Sequence, residues 1–142
     1  MGGITEGKEN KRKEIYVKEN SVKEEIKDIK IKVTQMMLEL GMPAHLRGYH
    51  YLREAIFLTI EDMELVGSIT KLLYPEIAKR FHATNDKVER AIRSVIEVGW
   101  QRGNEELFEE ILGYSRVHSK ERPTNSEFIV AIADKLRLDL CV

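Results

Sequence analysis

Lys87, Glu89, Arg90 and Arg93 sit close together in the stretch TNDKVERAIRSVIEVGWQR, residues 84–102. At about 100° per residue, Val88, Ala91, Ile92, Val95, Ile96 and Gly99 fall on one side of a helix. Asp86, Arg90, Arg93, Ser94, Glu97 and Gln101 fall opposite, with Lys87 and Glu89 on the flanks. The chemistry such a face can do is recognition of bases. An arginine guanidinium is a planar fork that bridges guanine O6 and N7. Glu89 can accept from cytosine N4 or hold an arginine in place. Lys87, near the helix start, is suited to a phosphate. The alternative is a solvated face on an ordinary bundle helix, and spacing alone leaves the two open.

Other chemistry finds little support. There is no G-x-x-x-x-G-K-[ST] and no G-x-G-x-x-G, so no phosphate cradle is signalled. His45, His50, His82 and His118 form no H-E-x-x-H motif, and the single cysteine, Cys141, excludes a zinc finger. Cys141 also has no placed base beside it, which argues against a nucleophile. The acidic run Glu61, Asp62, Glu64 lacks the glycine-centred oxygen spacing of a calcium loop. No metal, no cofactor and no catalytic residue is expected, and the chain does not read as an enzyme.

The elements that must position the arginine face are all helical. Thr84 suits an N-cap, its hydroxyl accepting an orphan N–H of the first turn. Directly upstream, Pro75–Phe81 reads as a short helix with Pro75 at a first helical position and Ile77, Ala78 and Phe81 as its buried stripe. The link His82–Asn85 allows only a tight turn. Two helices joined this way match the helix-turn-helix pattern, whose second helix enters the major groove.

Elsewhere, Ser21-x-x-Glu24 is a capping-box pattern that opens a helix with Val22, Ile26, Ile29, Val33, Met36, Met37 and Leu40 on its stripe. Gly41 and Pro43 end it. Tyr49–Met63 is a second long helix, with Tyr49, Leu52, Ile56, Ile60 and Met63 on one side. Ile69–Tyr74 is a short apolar segment leading into Pro75. After Arg102, Gly103–Asn104 is a stop and a cap, and Leu107, Phe108, Ile111 and Leu112 mark a helix ending at Gly113. Tyr114–Pro123 reads as an exposed basic loop whose Arg116, Lys120 and Arg122 can reach DNA backbone or a protein partner. Thr124-x-x-Glu127 caps the last helix, lined by Ile129, Ile132, Ala133 and Leu136. No segment shows the two-residue alternation of a half-buried strand. The expectation is an all-α bundle of about six helices containing a helix-turn-helix.

Met1–Asn20 is polar and lacks a sustained apolar period, so residues 1–20 read as a flexible linker or tail and 21–142 as the folded domain. The chain has 142 residues, 42% of them hydrophobic, enough for one domain. Its net charge of −1 is not that of a generally basic nucleic-acid binder. Contact with DNA must then come from a local patch, and sequence-independent attraction should be weak. Specific affinity is expected to need several copies side by side. One cysteine and no signal peptide fit a reducing cytoplasm. No run approaches the ~18 apolar residues of a membrane span.

The segments PAHLRGYHYLREAI, GSITKLLYPEIAKRF, KVERAIRSVIEVGWQRGN and KERPTNSEFIVAIADKLRLD together resemble the DNA-binding effector domain of the stage-zero sporulation protein A family. These are the master response regulators of endospore-forming Firmicutes. The resemblance runs from about Val33 to Leu138. It implies a six-helix domain that reads a short promoter box, tandem copies with self-association on double-stranded DNA, and contact with the RNA polymerase sigma factor in activation or repression. It also implies a phosphorylated receiver domain and a hinge upstream. This chain has no alternating strands and helices with an acidic cluster, and Met1–Asn20 looks like such a hinge plus an artificial or alternative start.

Residue by residue, Glu89, Arg90 and Arg93 match the family's VERAIR base-reading and phosphate-contacting positions, and Lys87 a basic residue at the helix start. Ser94 stands where members often have histidine. Asp86 replaces a small residue and adds negative charge near DNA. Ala133, Asp134 and Leu136 match positions used for communication with the transcription machinery, although Ala133 and Leu136 lie on the apolar stripe. The loop Gly103–Ser119 resembles the sigma-facing surface. A helical protein-interaction module, an adaptor that uses the same surfaces without touching DNA, is the alternative.

Overall fold

The computed structural model describes residues 2–119 and 121–140, with side chains described at 7–119 and 121–139. Among these residues every regular element is helical: α1 (Gly2–Glu39), α2 (Arg47–Glu61), α3 (Tyr74–Arg80), α4 (Asn85–Arg102), α5 (Glu105–Leu112) and α6 (Asn125–Leu140). A 3₁₀ stretch, Met63–Ser68, and a π turn, Ile69–Leu73, connect α2 to α3. The all-α expectation holds. Cys141 and Lys120 lie outside the described residues.

The chain divides into two units, Met1–Lys32 and Val33–Val142. In the first, α1 is already helical at Gly2, so the capping box at Ser21 does not open the helix. Its expected stripe is exposed there, Val22 at 52% and Ile26 at 42%. With no buried face there, what favours the helix in the sequence is the placing of acidic residues four before lysines: Glu9 and Lys13, Glu14 and Lys18, Glu19 and Lys23, Asp28 and Lys32. Burial begins at Val33, followed by Met37 and Leu40.

In the second unit, α1 closes on a left-handed Gly41, φ 76°. Met42 N donates to Met37 O and Gly41 N to Leu38 O, both at 3.0 Å, which is the Schellman pattern. The core is then assembled around α4. Trp100 is fully buried and meets Phe108 of α5 edge-on at 5.1 Å and Tyr114 at 5.8 Å, while Phe108 reaches Phe128 of α6 at 6.3 Å. These rings tie the C-terminal half of α4 to its neighbours. Burying each of the large side chains is worth about 1.5–3 kcal/mol.

The helix α2 crosses directly behind α4. Tyr49, Leu52, Ala55 and Ile56 are buried along it, as the spacing predicted, whereas Met63 lies beyond its end and is only partly covered. Gly48 permits the approach: a Cβ there would lie 2.0 Å from the carbonyl oxygen of Ala91. The crossing therefore requires glycine for space, since its φ is ordinary.

Candidate nucleic-acid interface

The two short helices of the expected motif are present as α3 and α4. Pro75 occupies the first turn of α3, where a missing N–H costs nothing. The helix ends when Ala83 N donates to Ala78 O at 2.9 Å and His82 turns left-handed, φ 53°. Histidine here does what glycine usually does in that cap, and this was not legible in the sequence. Thr84 then caps α4, its hydroxyl accepting from Lys87 N at 3.3 Å.

On α4 the two faces separate as the spacing predicted. Val88, Ile92, Val95, Ile96, Gly99 and Trp100 are buried. Asp86, Lys87, Arg90, Arg93, Ser94 and Gln101 are exposed, and Glu89 and Glu97 lie at the margin. Arg90 makes no ion pair with another described residue. Arg93 pairs with Glu89 one turn back. The Glu89 carboxylate raises the pKa of Arg93, first through their hydrogen bond and then through charge. Both partners are solvent-exposed in large part, 46% and 33%, so the pair is held in high dielectric and exchanges readily for another anion. The fork of Arg93 is thus oriented rather than sequestered.

The flanks of α4 are built by residues far away in sequence. Asn125, the first residue of α6, donates from Nδ2 to the Glu89 carbonyl at 3.0 Å and to the Tyr74 hydroxyl at 3.1 Å. Its Oδ1 is buried without a partner among the described residues. Burial raises the Tyr74 pKa, the Asn125 hydrogen bond works against that, and nearby Glu89 adds to the rise. Arg122 places Nε 2.6 Å from the Glu97 carboxylate, one turn beyond Arg93. Thr70, Tyr74, Glu89, Arg93, Arg122, Asn125 and Ser126 line a cleft of about 420 Å³ together with Thr124. Asn125 carried no sequence signal, because it acts through partners many residues away.

Arg116, expected to reach outward from the loop, turns inward instead. It donates to the Trp100 and Gly103 carbonyls at 3.2 and 3.0 Å and pairs with Glu105 at 2.8 Å. A cation there satisfies the carbonyls left over at the C-terminus of α4 and complements its dipole.

The three residues of α6 assigned to the transcription machinery separate. Asp134 is exposed, whereas Ala133 and Leu136 are 0% and 2% exposed. Direct contact by Ala133 or Leu136 is closed by packing, the outcome their place on the apolar stripe implied. Asp134 lines a cleft of about 530 Å³ with Glu110, Asp139, Lys135, Ile111 and Leu138.

Among the described residues no group of three or more histidine, cysteine or carboxylate side chains is placed to hold a metal ion. No helix among them is long and apolar enough to cross a membrane. Residues 33–136, the greater part of the chain and all of the second unit through Leu136, match the family model described as sporulation initiation factor Spo0A, C terminal.

Proposed function

We propose a function from one established premise: the chain belongs to the Spo0A C-terminal family, which is a family of sporulation output domains, generally DNA-binding, and not an enzyme family. On this reading α4 enters the major groove of a promoter box. Arg90 reads bases, Glu89 holds an arginine or accepts from cytosine, and Lys87, Arg93 and Ser94 meet phosphates. The observation that carries it is the outward row of Arg90 and Arg93 on a helix whose opposite side buries Val88, Ile92, Val95, Ile96 and Gly99. Residues 1–20 are the lead-in to this domain.

The second part of the proposal is contact with the polymerase sigma factor. Asp134 is its surface residue, and the acidic and apolar cleft around it suits a basic amphipathic helix. Tandem copies on repeated boxes compensate for the weak general attraction of a chain with net charge −1.

A mobility shift of promoter fragments at two salt concentrations tests the first part. A retarded complex that prefers one sequence and weakens with salt is expected. An adaptor module would retard none. Arg90→Ala is expected to cost about 1–3 kcal/mol and to relax base preference, the size of one bidentate arginine–guanine contact. Unchanged affinity and preference in that variant would remove Arg90 from the reading row.

A further inference from the structure

We propose that the cleft beside α4 is a phosphate site, in which Arg122 and Arg93 hold one backbone phosphodiester of the duplex that α4 reads; this rests on the DNA-binding reading of α4. The cleft is lined by two guanidiniums and one carboxylate, Glu89, so its wall is net positive in a chain whose sum is −1. Arg122 comes from the loop before α6, not from α4. It stands beside the reading helix at the position where a groove-bound helix meets the strand that borders the groove.

The remaining lining is made of donors. Thr70 and Ser126 contribute hydroxyls, and the first amides of α6, at Asn125 and Ser126, have no carbonyl within their own helix to reach. Amides at a helix start favour an anion. The side chain of Asn125 takes no part in this. Asn125 is 7% exposed, and its Oδ1 has no donor among the described residues. Its amide cannot be turned round, because Nδ2 already serves the Glu89 carbonyl and the Tyr74 hydroxyl. Asn125 is thus spent on bracing α4, and the groups left to meet an anion are the two guanidiniums, the hydroxyls and the first amides of α6.

In the unliganded domain each arginine is parked on a carboxylate of α4, Arg93 on Glu89 and Arg122 on Glu97. These surface pairs keep both forks beside the cleft and are replaced by phosphate oxygens, which accept from a guanidinium two at a time. Such a contact carries no base information. It sets the register of α4 in the groove.

The test uses the whole chain and duplexes with and without a preferred box, with affinity followed from 50 to 200 mM salt. Arg122→Gln is expected to lower the slope of log affinity against log salt by about 0.9, so that wild-type affinity falls about 3.5-fold further over this range. The loss should be equal on both duplexes. Arg122→Lys should restore the slope. Ser126→Asp, at an exposed position, should weaken both duplexes alike without lowering the melting temperature. If wild type binds DNA and the Arg122→Gln slope is unchanged, the phosphate site is wrong while the reading of α4 stands. A loss confined to the preferred box would make Arg122 a base reader and also overturn it. Saturable binding of inorganic phosphate, lost in Arg122→Gln while the DNA slope stays the same, would assign the cleft to a free anion instead. If wild type binds no duplex at all, the DNA-binding reading itself fails.

Discussion

Gly48→Ala places a methyl group against the backbone of the reading helix. The new Cβ would stand 2.0 Å from the Ala91 oxygen and 2.6 Å from its carbonyl carbon. Real contacts of this kind do not fall below 3.0 Å, so α2 and α4 must part by about 1 Å. Neither contact atom belongs to a flexible side chain, and the shift has to be taken up by the helices themselves. Overpacking of this kind costs about 1–3 kcal/mol. Replacing glycine by alanine within a helix returns roughly 0.5–1 kcal/mol. With the middle of each range, the net expectation is a loss of about 1 kcal/mol, or roughly 4–5 °C in Tm for a domain of this size. Differential scanning calorimetry with urea titration measures it. DNA affinity should fall as well, since α4 moves relative to the Asn125 and Arg122 flank. A melting temperature equal to or above that of wild type would refute the reasoning, because it would mean that the helices part without cost.

Two further expectations follow from the flank of α4. Asn125→Ala removes the hydrogen bonds to the Glu89 carbonyl and the Tyr74 hydroxyl and should destabilise by about 1–2 kcal/mol in urea unfolding; an unchanged midpoint would mean that the α6 start does not brace α4. Tyr74 has its pKa raised above 10 by burial, so the folded state holds the phenol proton more tightly than the unfolded state. The stability this contributes is complete below about pH 10 and is lost as pH rises through the folded value, so Tyr74→Phe should lose less stability than wild type between pH 9 and 12 in parallel thermal melts.

The helical periods of α2, α4, α5 and α6 were legible because each buries one face against the same core, and the apolar stripe records that burial directly. The two faces of α4 could be assigned residue by residue for the same reason. The N-terminal part of α1 was less legible, because a helix that buries no face leaves no stripe to read. Residues that act across the fold left no local trace. Arg116 reads as an exposed loop cation until the carbonyls of Trp100 and Gly103 are found beside it, and Asn125 reads as one more residue after a cap. His82 was hidden by the assumption that a left-handed cap calls for glycine.

The inward turn of Arg116 makes the loop after α5 a passenger of α4. One guanidinium grips two carbonyls in the final turns of α4 and the carboxylate that opens α5. A protein that grasps this loop therefore pulls on the end of α4 farthest from its capped start. Traction at that end reaches the arginine row as a tilt of a stiff rod, so a load on the loop and the direction of that row are mechanically joined without any segment having to unfold.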